Sequence, residues 1–175
     1  MLLVFTTGMS AQTKSFKVPD VDGFSSAAEC REYKTDVLNC SKYYLTHTLD
    51  APQMKEAGRF IIMWMEATSD FNISLGEPAH IALMKCSSTL PAYTAACIIY
   101  GMAKKLKEVN IAMHVQAMQQ ALKFYENNKE YLGKVDEWEV YVRAKKDGTL
   151  KKLLKDEFEK TKQNENIPED KLQSM

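Results

Sequence analysis

The sequence predicts an all-α protein: a single domain built as a compact bundle of about five to seven helices. Three observations carry that expectation. Apolar residues recur at gaps of 3 and 4 along most of the chain, which is the spacing of one helix face. Prolines and Ser/Thr clusters fall between those periodic stretches rather than inside them. Hydrophobic residues make up 45% and charged residues 26% of 175 residues, a globular composition rather than a disordered or fibrous one.

Taken in order, residues 24–48 carry Cys30, Tyr33, Val37, Cys40, Tyr44 and His47 as one stripe, capped by Ser25 or Ser26 with Glu29 following. Pro52 opens a second helix over 52–70, striped by Met54, Ala57, Ile61, Trp64, Thr68 and Phe71. Gly58, Ile62 and Met65 widen that stripe, so this helix is expected at the centre of the core. Residues 69–77 break the period and read as a loop. The helical pattern resumes at Pro78, and the run Ser87-Ser88-Thr89-Leu90-Pro91 ends one helix and starts the next. That next helix, 90–106, is rich in small residues (Ala92, Ala95, Ala96, Gly101, Ala103). Asn110 caps a helix over 111–131 with Ile111, Val115, Met118, Leu122 and Tyr125 as its stripe. Over 135–143 period 2 fits nearly as well as period 3.6, and the segment is read as a short helix. Asp147-Gly148 is a turn, followed by an amphipathic helix lined by Leu150, Leu153, Leu154 and Phe158.

The two ends set the domain limits. Residues 1–11 (MLLVFTTGMSA) are uncharged, apolar at the start and small at the end, like the latter part of a secretory signal peptide. Cleavage after Ser10 or Ala11 leaves a helical domain over 12–162, exported to a periplasm or the cell exterior. Residues 163–175 carry too little apolar content to order themselves and read as a disordered tail. No other stretch approaches 18 uncharged apolar residues, so no membrane span is expected. Lys+Arg and Asp+Glu both total 23. That balance provides no electrostatic footprint for nucleic acid and no global field to steer a charged substrate.

Four cysteines, Cys30, Cys40, Cys86 and Cys97, are disulfide candidates if the chain is exported. A helical Cys30 and Cys40 would lie about 15 Å apart at a 1.5 Å rise, too far to bridge. Cross-helix pairings remain, either Cys40–Cys86 with Cys30–Cys97 or Cys30–Cys86 with Cys40–Cys97. A chain reversal at Pro91 favours the first scheme. No CxxC or HxxxH spacing is present, so no metal ligands are assigned.

No catalytic constellation stands out. His47, His80 and His114 are far apart in sequence, and GxSxG, HExxH, GxGxxG and GxxxxGK[ST] are all absent. No catalytic residue and no cofactor is therefore assigned. Tyr44, Trp64, Phe71, Tyr93 and Tyr100, with methionines close by, are the candidate lining of an apolar pocket. The loop 69–77 and the helix 149–161 are two further candidate binding elements. The function expected is that of an exported binding protein, its partner a protein or a small apolar ligand. A small hydrolase with an unrecognised site is an alternative.

Leu83, Cys86, Cys97, Tyr100 and Gly101 form a pattern that resembles one in small periplasmic immunity proteins, which guard against secreted cell-wall amidases. The resemblance covers about 20 residues. It implies a second alternative, an inhibitor that acts on a partner enzyme without catalysis of its own.

Overall fold

The computed structural model describes residues 16–70, 72–73 and 79–165. Nine helices and no strand occur among the described residues, packed in one arrangement. They are α1 (Ala27–Glu32), α2 (Lys34–Thr46), α3 (Met54–Ala67), α4 (Ala79–Lys85), α5 (Thr89–Lys104), α6 (Ile111–Asn127), α7 (Lys129–Leu132), α8 (Asp136–Lys146) and α9 (Leu150–Glu165). The signal-like segment 1–11 and the end of the chain from 166 lie outside the described residues, so the tail expected over 163–175 is described only to Glu165, within α9.

The expected count of five to seven falls short because two expected helices each break once. Tyr33, at φ −92° and ψ 17°, separates α1 from α2. Asn128 separates α6 from α7, and its side chain explains why. Its Nδ2 donates to the Phe124 carbonyl at 2.9 Å, and its Oδ1 accepts from the Leu49 N–H at 2.7 Å. A buried asparagine that bonds the preceding turn and a distant loop competes with helix continuation. Ser26 caps α1 through the Glu29 N–H, and Asn110 caps α6 through the Met113 N–H, both as the cap chemistry expects. In α8, Trp138, Tyr141 and Ala144 are buried at helical gaps while Val140 is 42% exposed, which resolves the ambiguous period as helix.

The centre of the core is α5 rather than α3. It packs against α2, α3, α4 and α6, and nine of its residues, Thr89 to Gly101, are buried. Its small side chains let neighbouring helices approach closely. A close approach recurs at Gly58 in α3, where an added Cβ would stand 2.8 Å from the Tyr44 ring. That ring cannot retreat: it stacks on Phe124 at 5.0 Å, and its hydroxyl donates to the Ser88 carbonyl at 2.9 Å.

The helix α9 packs at home against α6 and α8. Leu150 and Leu154 are buried, Leu153 and Phe158 partly so. Phe158 lies against His114 of α6 at 5.2 Å, and the Tyr141 hydroxyl of α8 donates to the Glu157 carboxyl at 3.2 Å. Burial pushes the Glu157 carboxyl up to about 7.

His114 is 2% exposed, shares a 3.0 Å hydrogen bond through Nδ1 with the Tyr93 hydroxyl, and has no partner for Nε2 among the described residues. Burial lowers its pKa to about 4, against about 6.5 in an unfolded chain. Between those values the unfolded chain takes a proton that the folded one refuses. The contribution of His114 is therefore complete above about pH 6.5 and is lost as pH falls to about 4, up to about 3 kcal/mol. Glu157 acts with the opposite sign, its folded form holding a proton that the unfolded chain releases from about pH 4.5 upward. Urea denaturation of wild type and His114→Phe across pH 4–8 isolates the histidine. The stability difference between them should move in favour of the variant as pH falls below 6.5, and a pH-independent difference would show that His114 titrates normally.

Candidate functional site

A cleft of about 660 Å³ opens where α1, α2, the end of α3 and the end of α5 converge. Its apolar floor is Leu38, Trp64, Ile98, Met102 and Leu106. Arg31, Lys34, Lys105 and Lys107 stand around it, with Asp70 as the single carboxylate among the described residues of its lining. A smaller cavity of about 440 Å³, lined by Met65, Glu66, Thr68, Asn72 and Ile73, shares Ser69 and Lys107 with it.

Each wall has a local cause. Trp64 is locked by a reciprocal pair of bonds to α1. Its Nε1 donates to the Cys30 carbonyl at 2.8 Å, and the Cys30 thiol donates to the Trp64 carbonyl at 3.4 Å. Asp70 holds the opposite rim: its carboxylate takes Lys34 at 2.5 Å and Arg31 Nε at 2.9 Å, while Arg31 Nη2 donates to the Ser69 hydroxyl at 3.0 Å. The Lys34 ammonium first, and then the Arg31 guanidinium, hold that carboxyl below its ordinary range.

The third wall is the exit from α5. Lys105 has φ 55° and ψ 37°, the left-handed conformation that glycine usually takes after a helix. The Leu106 N–H donates to the Gly101 carbonyl at 2.9 Å, and the Lys105 N–H to the Met102 carbonyl at 3.3 Å. A lysine in this conformation costs about 1 kcal/mol relative to glycine. The turn aims the chain into Leu106 and Lys107, where the Lys107 carbonyl accepts from the Asn72 N–H at 2.8 Å. Neither Lys105 nor Lys107 forms an ion pair among the described residues; both are exposed, and Lys107 also lines the smaller cavity with Glu66.

The candidate pocket aromatics do not come together. Trp64 forms part of the cleft floor. Tyr44 and Tyr93 are buried in the core. Tyr100 lines a separate groove of about 400 Å³ between α2, α5 and α6, with Leu45, Ile99 and Gln120. Phe71 lies outside the described residues, as do 74–77 of the candidate binding loop. The cations of the cleft, Arg31, Lys34, Lys105 and Lys107, carry no motif that singles them out in the sequence. The signal that could have found the site is Lys105, a lysine where a helix ends without a glycine.

No two of the four cysteines lie at disulfide distance, so neither expected pairing is formed. Each sulfur is packed in its own surroundings. Cys30 bonds Trp64, and Cys97 sits beside the Tyr93 hydroxyl. The Cys86 carbonyl accepts from both the Thr89 hydroxyl and its N–H at the turn into α5. Burial pushes all four thiols up, Cys40 to about 12. The histidines are equally dispersed. His47 is exposed at the end of α2 with Nδ1 2.9 Å from the Tyr43 carbonyl, His80 lies in α4, and His114 is in the core. Among the described residues, no group of three or more His, Cys, Asp or Glu side chains is placed to hold a metal ion. No helix among them is long and apolar enough to cross a membrane.

No family model, curated protein or solved structure matches this chain. What the chain does must therefore be argued from the cleft itself.

Thiolates are the reactive form, so raised pKa values and burial together shield these cysteines. Ellman's reagent at pH 8 should label the native protein slowly and release four equivalents once guanidinium unfolds it. Rapid labelling of the native protein, or fewer than four equivalents without a reductant, would contradict the four separate buried thiols.

Proposed function

We propose that this chain is an exported binding protein that holds a small ligand in the cleft between α1–α2 and the end of α5. The observation that carries the reading is the cleft's composition. An apolar floor ringed by a few convergent polar groups, with a volume in the usual range for ligand sites, is what small-molecule recognition requires. Two of its walls are held by hydrogen bonds and ion pairs, Trp64 to Cys30 and Asp70 to Arg31 and Lys34, which favours a preformed site even where loop residues line it. No histidine lines it, and Asp70 of its lining is engaged by Arg31 and Lys34, so the hydrolase reading finds little support there. Of the residues that suggested the inhibitor reading, Leu83, Cys86, Cys97 and Gly101 are buried, while Tyr100 is half-buried and lines the separate groove.

Export rests on the apolar run at the N-terminus alone, since the cysteines give it no help. Buried thiols are compatible with an oxidising compartment, because their burial keeps oxidants and partner thiols away. Intact mass of the protein from its native host tests this half of the reading. A mature chain beginning at Ala11 or Gln12 is expected, and retention of residues 1–11 would refute export.

For binding, Thr35 at the exposed edge of the cleft is the position to block. A thermal-shift screen of chemically diverse small molecules should raise the Tm of wild type and leave Thr35→Trp unmoved. Compounds that stabilise both proteins equally would place binding elsewhere, and an empty screen would count against a small-molecule role.

A further inference from the structure

We infer that the ligand of this cleft is a monoanion with an apolar body, a carboxylate being the simplest case. The inference rests on the binding reading above and names the chemical class that the site selects.

The charge distribution is the first argument. The chain as a whole carries no net charge, yet the cleft gathers four cationic side chains against one carboxylate. That carboxylate, Asp70, already takes both Arg31 and Lys34 on one rim. Lys105 and Lys107, both exposed, line the same cleft and form no ion pair among the described residues. Like charges left together in a concave site repel one another, and an anion entering between them relieves that repulsion.

The conformation of Lys105 is an independent argument. A glycine there would close α5 without strain, yet this chain places a lysine at φ 55°. Backbone strain of this kind is retained where it positions a group. Here it holds an ammonium-bearing side chain at the edge of an apolar floor. The floor supplies the second half of the selectivity. Leu38, Met102 and Leu106 are only partly buried, and they offer an aliphatic or aromatic body a surface to cover. A small inorganic anion would satisfy the lysines and leave that surface wet, whereas a neutral apolar compound would cover it and leave the lysines unpaired.

Octanoate, octanamide and octylammonium make the test, since they share a body and differ in charge. Isothermal titration at low salt should show octanoate binding wild type at least about tenfold more tightly than octanamide, with octylammonium weakest. Raising the salt concentration should narrow that gap. Lys105→Gly should be at least as heat-stable as wild type while losing several-fold of the octanoate affinity, so the loss cannot be blamed on misfolding. A Lys105→Gly/Lys107→Gln double variant should bind octanoate and octanamide about equally. If octanamide binds wild type as well as octanoate, and Thr35→Trp abolishes both, the anion class is wrong and the binding reading stands. If none of the three binds, or octanoate affinity is unchanged in the double variant, the inference is overturned. Octanoate that binds Thr35→Trp as well as wild type would remove both the inference and its cleft.

Discussion

The close packing of α5 against four other helices depends on the smallness of its side chains. Ala92, Ala95, Ala96 and Cys97 are all buried, and none extends far enough to hold a neighbour at a distance. Helix α2 approaches on one side and α6 on another, while α3 and α4 also pack on it. A larger residue at any of these positions would push at least one helix outward, and close-packed interiors absorb such changes badly. The cleft is a consequence of this arrangement. Where α5 ends at Lys104, the chain turns back through Lys105. The start of α2 and the segment that leaves α3 lie at the same end, and the space between them and the end of α5 is the cleft.

Several polar groups inside this core bond in pairs across helices, whereas Ser41 Oγ, His114 Nε2 and Trp138 Nε1 have no hydrogen-bond partner among the described residues. Trp64 and Cys30 exchange two bonds between α3 and α1. Tyr93 and His114 join α5 to α6, and Asn128 ties the end of α6 to Leu49. This economy accounts for the fate of the cysteines. A sulfur in a helix core can pack as a small hydrophobe that needs no covalent partner, and these four do so. Even spacings of 10 and 11 residues permitted two bridge schemes on paper, but a disulfide also needs Cβ vectors that converge. Spacing along a helix carries no information on that point.

Periodicity made most of the fold legible. The stripes through Val37, Cys40 and Tyr44, through Ala57, Ile61 and Trp64, and through Val115, Met118, Leu122 and Tyr125 are all buried. What periodicity could not show was rank. The segment 54–70 has the broadest stripe, yet α5, whose small residues give almost no amphipathic contrast, lies deeper. The breaks at Tyr33 and Asn128 were equally hidden, since each arises from a tertiary contact or a local dihedral that no flanking residue announces. The candidate pocket aromatics divide between core and surface, Trp64 lining the cleft and Tyr100 a separate groove. Large rings at helical spacing fill cores, and Tyr44 and Tyr93 do that here. The cleft was illegible because its charges come from separate segments, at 31, 34, 70, 105 and 107, and converge only when α2 meets the end of α5.

Net neutrality and a cationic cleft place different demands on recognition. A neutral molecule exerts little attraction beyond a Debye length, roughly 8 Å at physiological ionic strength, so an anion is not gathered from solution by the protein as a whole. It must reach the mouth of the cleft by diffusion. Only there would the exposed Lys105 and Lys107 come within reach of it, next to the apolar floor. Selectivity in such a site is exercised at contact: the floor rejects what is too polar to cover it, and the rim rejects what cannot pair with it. A ligand must meet both conditions at once, and for that reason neither the aromatic residues nor the charge count alone pointed to it.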